Sequence, residues 1–297
     1  MGLFSRNYNR PGPGVRADEP RKKGFARLFE LLGRDFGSYF KAGFLAFLSA
    51  LPFILGMAFA IVTHVVLYVL IAGILGGMLA APQICGMADT ILRSLRDEPG
   101  YWWTTYRRAW KNNAKASLLP GAIIGLILAL QLFTLFHMSS LNGGLFTWVM
   151  MILGAFLTIG MACYIFPQIT LLDMSFGSIL KNSVLLLLGY LPRSAGAIAI
   201  TLVYWVVMLL FFPLSLFILP FTSFWLPMLP SLLVIYPAFE KSFNLEATIS
   251  QMREARLNGD PTPIPTTKPA QQTEPETPDE PEEEAEPEEK ADSTTQE

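Results

Sequence analysis

Three long stretches of the chain contain no charged side chain. No Asp, Glu, Lys or Arg occurs in residues 42–88, 116–172 or 194–239, which are 47, 57 and 46 residues long. A helix needs about 20 apolar residues to cross a bilayer, so each stretch has room for two membrane-spanning helices. A charge at the centre of such a helix costs roughly 2.5–3.5 kcal/mol, which explains why the charges lie between the stretches. The sequence therefore predicts three helical hairpins in a membrane.

We predict an all-α fold, a polytopic transmembrane helical bundle of about six spans. The spans are placed near residues 42–62, 66–88, 117–137, 145–170, 194–219 and 222–239. The hairpin tips then lie near His64, near His137 to Gly144, and near Pro220 to Ser223.

The last hairpin is rich in proline. It contains Pro213, Pro220, Pro227, Pro230 and Pro237. Each proline removes a backbone hydrogen-bond donor, which kinks or breaks a helix. One helix of this hairpin is therefore expected to be broken or re-entrant.

Most of the charged residues outside the last part of the chain are basic. Residues 1–259 carry 20 Lys and Arg side chains and 11 Asp and Glu, whereas residues 260–297 carry two lysines and 13 acidic side chains. Loops rich in Lys and Arg stay in the cytoplasm, and the hairpin tips carry no charge. With an even number of spans, this pattern predicts that the N-terminus and the C-terminus are both cytoplasmic.

The charge pattern divides the chain into four regions. They are a basic cytoplasmic N-terminal arm with an amphipathic helix (1–36), the transmembrane domain (37–241), a cytoplasmic helical extension (242–259) and a disordered acidic tail (260–297). The tail has almost no large apolar residues from which to build a core. It is expected to be an interaction tail for basic partners or a solubilising appendage.

Apolar side chains recur at helical spacing in the N-terminal arm. Within residues 24–36 they are Phe25, Leu28, Phe29, Leu32 and Phe36. The spacing predicts a short amphipathic helix, which either lies on the membrane surface or leads directly into the first span.

A Pro-Gln pair occurs near the end of the second predicted span and again near the end of the fourth. The pairs are Pro82-Gln83 and Pro167-Gln168, and Tyr236-Pro237 resembles a third, eroded copy. Transporters bind substrates at the interfaces between such repeats. The sequence therefore offers Pro82, Gln83, Pro167 and Gln168 as an intramembrane polar site. The alternative is that these residues only kink and cap their helices.

Aromatic and basic residues follow the breaker Glu98-Pro99-Gly100. Helical spacing places Trp102, Trp103, Tyr106 and Trp110 on one face and Arg107, Lys111 and Lys115 on another. This pattern is typical of a helix in the plane of the membrane, with its rings at headgroup depth and its cations near lipid phosphates. We predict that it contacts anionic headgroups on the cytoplasmic side or docks a membrane or cytoplasmic protein.

Small residues indicate where helices pack closely. Gly73 with Gly77 and Gly121 with Gly125 form two GxxxG pairs, which let helix backbones approach each other. They predict contacts inside one bundle or, alternatively, a homodimer seam.

The sequence contains no recognised catalytic or metal-binding motif. His64 and His137 lie near hairpin tips without carboxylates beside them, and Cys85 and Cys163 are interpreted as small packing residues within spans. Metalloprotease, P-loop and nucleophile-elbow motifs are absent. We therefore expect a protein that is not an enzyme, has no catalytic residue, metal or cofactor, and binds no nucleic acid.

The stretch from Gly86 through Gly125 resembles the YesL family of small bacterial integral membrane proteins. It has the family's order of a Pro-containing span, a short basic segment, an aromatic helix with a Lys-x-Asn element and a further span. The similarity extends weakly from about Phe25 to Pro192. It implies a multi-pass protein of the bacterial plasma membrane, with a role beside carbohydrate uptake, in a family without an established biochemical activity. The long acidic tail and the extended basic arm depart from the family.

Two functions fit these observations. The first is a non-enzymatic accessory or regulatory membrane protein, because charge-free spans accompany two polar cytoplasmic ends. The second is a small-solute or lipid-handling transporter with a site near the Pro-Gln elements of spans two and four. The spans hold no ionisable Asp, Glu, Lys or Arg, which argues against proton coupling.

Overall fold

The computed structural model of this chain describes residues 21–98, 100–138, 144–247 and 251. Within these ranges the chain forms eight helices and no strand. They are α1 (Gly24–Thr63), α2 (Val66–Leu95), α3 (Trp102–Phe136), α4 (Leu145–Leu171), α5 (Phe176–Gly189), α6 (Leu191–Leu210), α7 (Ser215–Thr222) and α8 (Trp225–Phe243). The predicted N-terminal arm before residue 21 and the predicted acidic tail lie outside the described residues, and the predicted extension 242–259 is described only in part.

Five of the helices are long and apolar enough to cross a membrane. They are α1, α2, α3, α4 and α6, and α7 with α8 together meet the same criteria as a sixth, broken span. This confirms the predicted all-α, polytopic bundle. Charged side chains gather where α1 begins, α2 ends and α3 begins, which we call the charged end; the opposite end, with His64 and His137, is the uncharged end.

The last hairpin is broken, as its prolines predict, but the break changes the placement of its spans. The predicted fifth span, 194–219, is wrong at its end, because α6 stops at Leu210 and Pro213 follows in the turn. The predicted tip at Pro220 to Ser223 instead joins α7 to α8, whose axes differ by 51°. The turn between α6 and α7 is therefore at residues 211–214.

The break between α7 and α8 packs against the middle of α1. The Ser223 hydroxyl donates to the carbonyl oxygen of Gly43 at 3.1 Å, and the Phe40 and Phe221 rings stack with centroids 5.9 Å apart. A side chain at Gly43 would overlap the ring of Trp225. Gly43 therefore allows the start of α8 to lie directly on α1.

Helix α5 was not predicted, because Lys181 and Arg193 made this region look like a loop. Its 14 residues span about 21 Å, too short for a bilayer core of about 30 Å. It starts beside the end of α4, and Tyr190, just after its last residue, accepts a hydrogen bond at 3.4 Å from Ser242 near the end of α8. Both ends of α5 thus lie at the charged end, so α5 does not cross the bundle.

Two predicted surface helices are continuous with spans. Residues 24–36 are the first turns of the 40-residue α1, which agrees with the expectation that they lead into the first span. Leu28 and Leu32 pack on the core, whereas Phe25 and Phe29 are exposed. Likewise, residues 102–115 begin the 35-residue α3. They therefore extend a span outward, and the predicted in-plane direction is wrong.

The two GxxxG pairs pack against each other inside one chain. A Cβ on Gly77 would overlap the carbonyl oxygen of Gly121, and a Cβ on Gly125 would overlap the carbonyl oxygen of Gly73. Such close approach needs glycine on both helices. The pairs therefore form the α2–α3 seam, as one of the two sequence interpretations expected.

Gly77→Ala should weaken this seam. The added methyl group meets backbone atoms of α3, and overpacking of this kind costs roughly 1–3 kcal/mol. Thermal unfolding of the detergent-solubilised protein should show a lower midpoint for the variant. Gly37→Ala is the matched control, because a Cβ there has no atom within 4 Å and alanine favours a helix by about 1 kcal/mol. Equal midpoints for both variants would contradict the seam.

Candidate functional site

Asp97 is the centre of an ionic network at the charged end. It follows α2 in the left-handed region, at φ 58°, a conformation that Asp adopts more readily than most residues. Arg27 of α1 donates from one nitrogen to both carboxylate oxygens, at 2.7 and 2.9 Å. Arg34 also bonds this carboxylate, and Arg21 donates to it at 3.1 Å. One carboxylate therefore joins three arginines to the end of α2.

The same arginines satisfy the end of α2. Arg34 donates to the carbonyl oxygen of Ser94 at 2.8 Å and Arg27 to that of Leu95 at 3.2 Å. The last carbonyls of a helix lack partners within the helix and carry partial negative charge, so cations stabilise them. The start of α1 is thereby attached to the end of α2 by both charge pairing and helix capping.

The charge of Asp97 is stabilised by its neighbours. Partial burial alone would raise the pKa of this carboxyl, but hydrogen bonds from Arg34 and Arg27 outweigh it and hold the pKa below its usual value. Arg27 is only 4% exposed, so it needs a counter-charge, whereas the carboxylate is 24% exposed. Asp97 therefore supplies, with Glu30, the negative charge that the buried guanidinium of Arg27 needs.

A second set of ion pairs holds the turn between α2 and α3. Arg93 donates to Asp89 at 2.8 Å and to Glu98 at 3.1 Å, and Arg96 donates to Glu98 at 2.8 Å. Glu98 and Arg96 are 10% and 7% exposed. These contacts fix the turn just before the aromatic segment.

A polar cavity of about 370 Å³ opens between these two networks and the start of α3. It is lined by Arg34, Asp35, Ser38, Thr90, Arg93, Ser94, Asp97, Glu98, Gly100, Trp102 and Thr105. Within the described ranges the buried indole nitrogen of Trp102 has no hydrogen-bond partner. The ammonium of Lys41 lies 5.4 Å from the centroid of the Trp102 ring. The cavity is therefore lined by groups of both charges.

The structure divides the predicted aromatic and basic helix into an inner and an outer part. Trp102 packs on the apolar core, and the phenol of Tyr106, 3% exposed, bonds Gln83. Trp103 and Trp110 are exposed at 55% and 36%. Only these last two rings can meet a lipid or a partner.

The basic residues of α3 all face outward. Arg107, Arg108, Lys111 and Lys115 are exposed, and their spacing of one, three and four residues puts them on one side of the helix. In the part of the chain that the structure describes, none of the four has an ion-pair partner. We call these four residues the basic face.

The glutamines of the two Pro-Gln elements form hydrogen bonds to different helices. Gln83 accepts a hydrogen bond from Tyr106 of α3, while Gln168 donates to Ser183 of α5 at 2.7 Å. Pro82 and Pro167 are buried inside α2 and α4. Each glutamine therefore ties its span to the next helix of the chain. The buried Oε1 of Gln168 has no hydrogen-bond partner among the described residues.

Sequence reasoning missed the Asp97 network. Arg27 and Arg34 are seven residues apart and so share a helix face, which was a readable signal, but their partner lies 63 to 70 residues further along the chain. Nothing local to Asp97 indicates which arginines it meets. The basic arm was interpreted only as a determinant of orientation.

Comparisons with known proteins add no relative from which a role could be transferred. No protein-family model, no curated protein and no solved structure matches the chain. The resemblance to the YesL family therefore stays a prediction, and the site has to be interpreted from its own chemistry.

Asp97→Asn should destabilise the charged end. It removes one of the two carboxylates paired with the buried Arg27, Glu30 being the other, at a cost of about 1–3 kcal/mol near neutral pH. Because the pKa of Asp97 is lower in the folded protein, its contribution is complete above the unfolded value of about 4 and is lost as the pH falls through the folded value. Thermal unfolding midpoints of wild type and variant should therefore differ by a constant amount from pH 8 to 5 and converge below pH 4.

Asp173→Asn is the control for that measurement, since Asp173 is exposed between α4 and α5 and has no partner among the described residues. It should unfold like the wild type throughout. A wild-type midpoint for Asp97→Asn at pH 7, or a difference that persists unchanged to pH 3, would contradict the network.

Proposed function

We propose that this chain is a non-enzymatic accessory or regulatory protein of the bacterial plasma membrane, and that its charged end faces the cytoplasm and receives a protein partner. The supporting observation is the basic face of α3, four exposed cations without ion-pair partners in the described ranges. Other cations nearby, Arg27, Arg34, Arg93 and Arg96, are paired with carboxylates. Four exposed cations on one side of a helix, without ion-pair partners among the described residues, are suited to an acidic partner.

The position of each basic residue along α3 indicates whether it suits a lipid headgroup or a protein. Lys115 is the last charged residue before the uncharged stretch 116–172, and Trp102 lies about 20 Å further out along an upright helix. The headgroup layer on each side of a bilayer is only about 5–8 Å thick. Lys111 and Lys115 therefore suit anionic headgroups, whereas Trp103 and Arg107 extend beyond them toward a protein.

Contacts within the chain order the charged end without a partner. Glu98 fixes the turn before α3 through Arg93 and Arg96, and Tyr106 bonds Gln83 on α2. A surface that is already ordered loses less conformational entropy on binding. This rigidity favours recognition over a role as a simple membrane anchor.

The transporter alternative has less support. Gln83 and Gln168 are each hydrogen-bonded within the chain and to different helices, and neither lines the cavity at the charged end. The unpartnered oxygen of Gln168 is the one observation in its favour. A role beside carbohydrate uptake rests on the YesL resemblance alone.

Orientation can be tested by labelling single cysteines in intact cells. In a variant without Cys85 and Cys163, a membrane-impermeant maleimide should label Gly144→Cys at the uncharged end and should not label Thr104→Cys at the charged end. Both positions are exposed. After the membrane is permeabilised, both should react equally. Labelling of Thr104→Cys in intact cells would overturn the proposed orientation.

The partner can be tested by photocrosslinking in cells. A photoreactive phenylalanine analogue at Trp103 should give a protein adduct of the same mass in independent cultures, because this ring is exposed beside the basic face. The adduct should disappear when Arg107→Glu and Lys111→Glu are added. The same probe at Leu153, which is 49% exposed in the apolar α4, is the control and should give lipid adducts only. Lipid adducts alone at Trp103 would contradict a protein partner.

A further inference from the structure

The two histidines of the chain meet at the uncharged end. His64 follows α1 and His137 follows α3, so they belong to different hairpins. His137 Nε2 lies 2.7 Å from His64 Nδ1, and the rings are nearly perpendicular at 79°. His137 is 7% exposed, whereas His64 is exposed to its surroundings. Sequence reasoning placed both near tips but did not bring them together.

A backbone carbonyl determines which nitrogens carry protons. His137 Nδ1 lies 2.9 Å from the carbonyl oxygen of Phe133, which can only accept, so Nδ1 must carry the proton. In a neutral His137 the Nε2 atom is then an acceptor, and His64 Nδ1 must be the donor to it. His64 Nε2 is left free to take up a proton.

In the part of the chain that the structure describes, no Asp, Glu, Lys or Arg lies near the pair. His64 lies in the uncharged stretch 42–88 and His137 in the uncharged stretch 116–172. The turns from α1 to α2 and from α3 to α4 lie in the same two stretches. Of the titratable side chains on these helices close to the tip, Tyr68 of α2 packs its ring on Phe59 of α1 at 4.8 Å. Among the described residues, no carboxylate therefore lies at this end to neutralise a charged imidazole.

We propose that His64 and His137 form a proton-sensitive clasp that joins the α1–α2 tip to the α3–α4 hairpin and opens when both rings are protonated. One proton, on His64 Nε2, leaves the hydrogen bond in place and makes it charge-assisted, and therefore stronger. A second proton has to bind His137 Nε2, where it removes the acceptor and brings two positive charges together. The two protons thus bind in separate, coupled steps, and only the second breaks the contact.

The clasp lies over an apolar cluster, so its opening has a structural consequence. The His137 ring stacks on Phe133 with centroids 4.1 Å apart, and Phe133 packs on the cluster of Met57, Ala60, Val69, Ala72 and Ala129. These residues come from α1, α2 and α3. Separation of the rings would loosen this cluster and the amides at the end of α3.

The presence of only two histidines makes the test direct. The full chain, purified without a histidine tag and labelled with ¹⁵N-histidine, should show two imidazole spin systems in detergent micelles. At pH 8 His137 should carry its proton on Nδ1. On acidification the first proton should appear on His64 Nε2, and His137 Nε2 should be protonated at a lower pH than in the His64→Asn variant. Amide exchange of His137 and Met138 should rise only after the second step.

His64→Asn is the suitable variant because residue 64 has φ 58°, a left-handed conformation that Asn tolerates. It should give a single titration of His137 without the rise in amide exchange. The same midpoint for His137 in both proteins, or amide exchange that does not change with the second proton, would overturn the clasp. The titration does not depend on which end of the protein faces the cytoplasm.

Discussion

The cost of moving a charge from water into hydrocarbon governs this structure. It confines Asp, Glu, Lys and Arg to the segments outside 42–88, 116–172 and 194–239, and the charged side chains that the structure describes lie at one end of the bundle. At this end, the packing of α1 on α2 buries some of the charged side chains, and each buried charge again loses its contact with water. Arg27 can remain buried since Asp97 and the carbonyl of Leu95 compensate its charge. The ionic network is thus a consequence of the arrangement that keeps the spans apolar.

The two ends of the bundle are held by different interactions. At the charged end, α1, α2 and the turn before α3 are joined by arginine–carboxylate pairs, of which those that involve Arg27 and Arg96 are shielded from solvent. Toward the other end, Gly77 and Gly121 bring α2 and α3 into backbone contact, and small apolar side chains fill the space between α1 and α2. Close packing of this kind does not respond to salt or to moderate changes of pH. Salt and pH act instead on polar contacts, such as the one between the histidines.

The sequence predicted those features that consecutive residues determine, and it did not predict contacts between residues far apart in the chain. Span positions were predictable because the absence of charge is a property of consecutive residues, and the break in the last hairpin followed from its prolines. The exact end of α6 at Leu210 was not predictable, because several prolines competed for the turn. Helix α5 was missed because Lys181 lies in a segment whose other face packs on α4. The Asp97 network and the partners of Gln83 and Gln168 depend on which residues meet in space, and single-sequence patterns contain no such information.

Helix α3 connects the features at the two ends. Its 35 residues form one helix, with Pro120 inside it, from the basic face and the cavity beside Trp102 to His137 just beyond its last turn. Along this length, Tyr106 holds it to Gln83 and the glycines hold it to α2, so it can shift only together with α2 or by breaking these contacts. A partner that prefers one position of α3 and a proton that prefers another would therefore act on the same helix. By thermodynamic linkage, whatever effect protonation of the histidines has on binding at the basic face, binding must have on protonation.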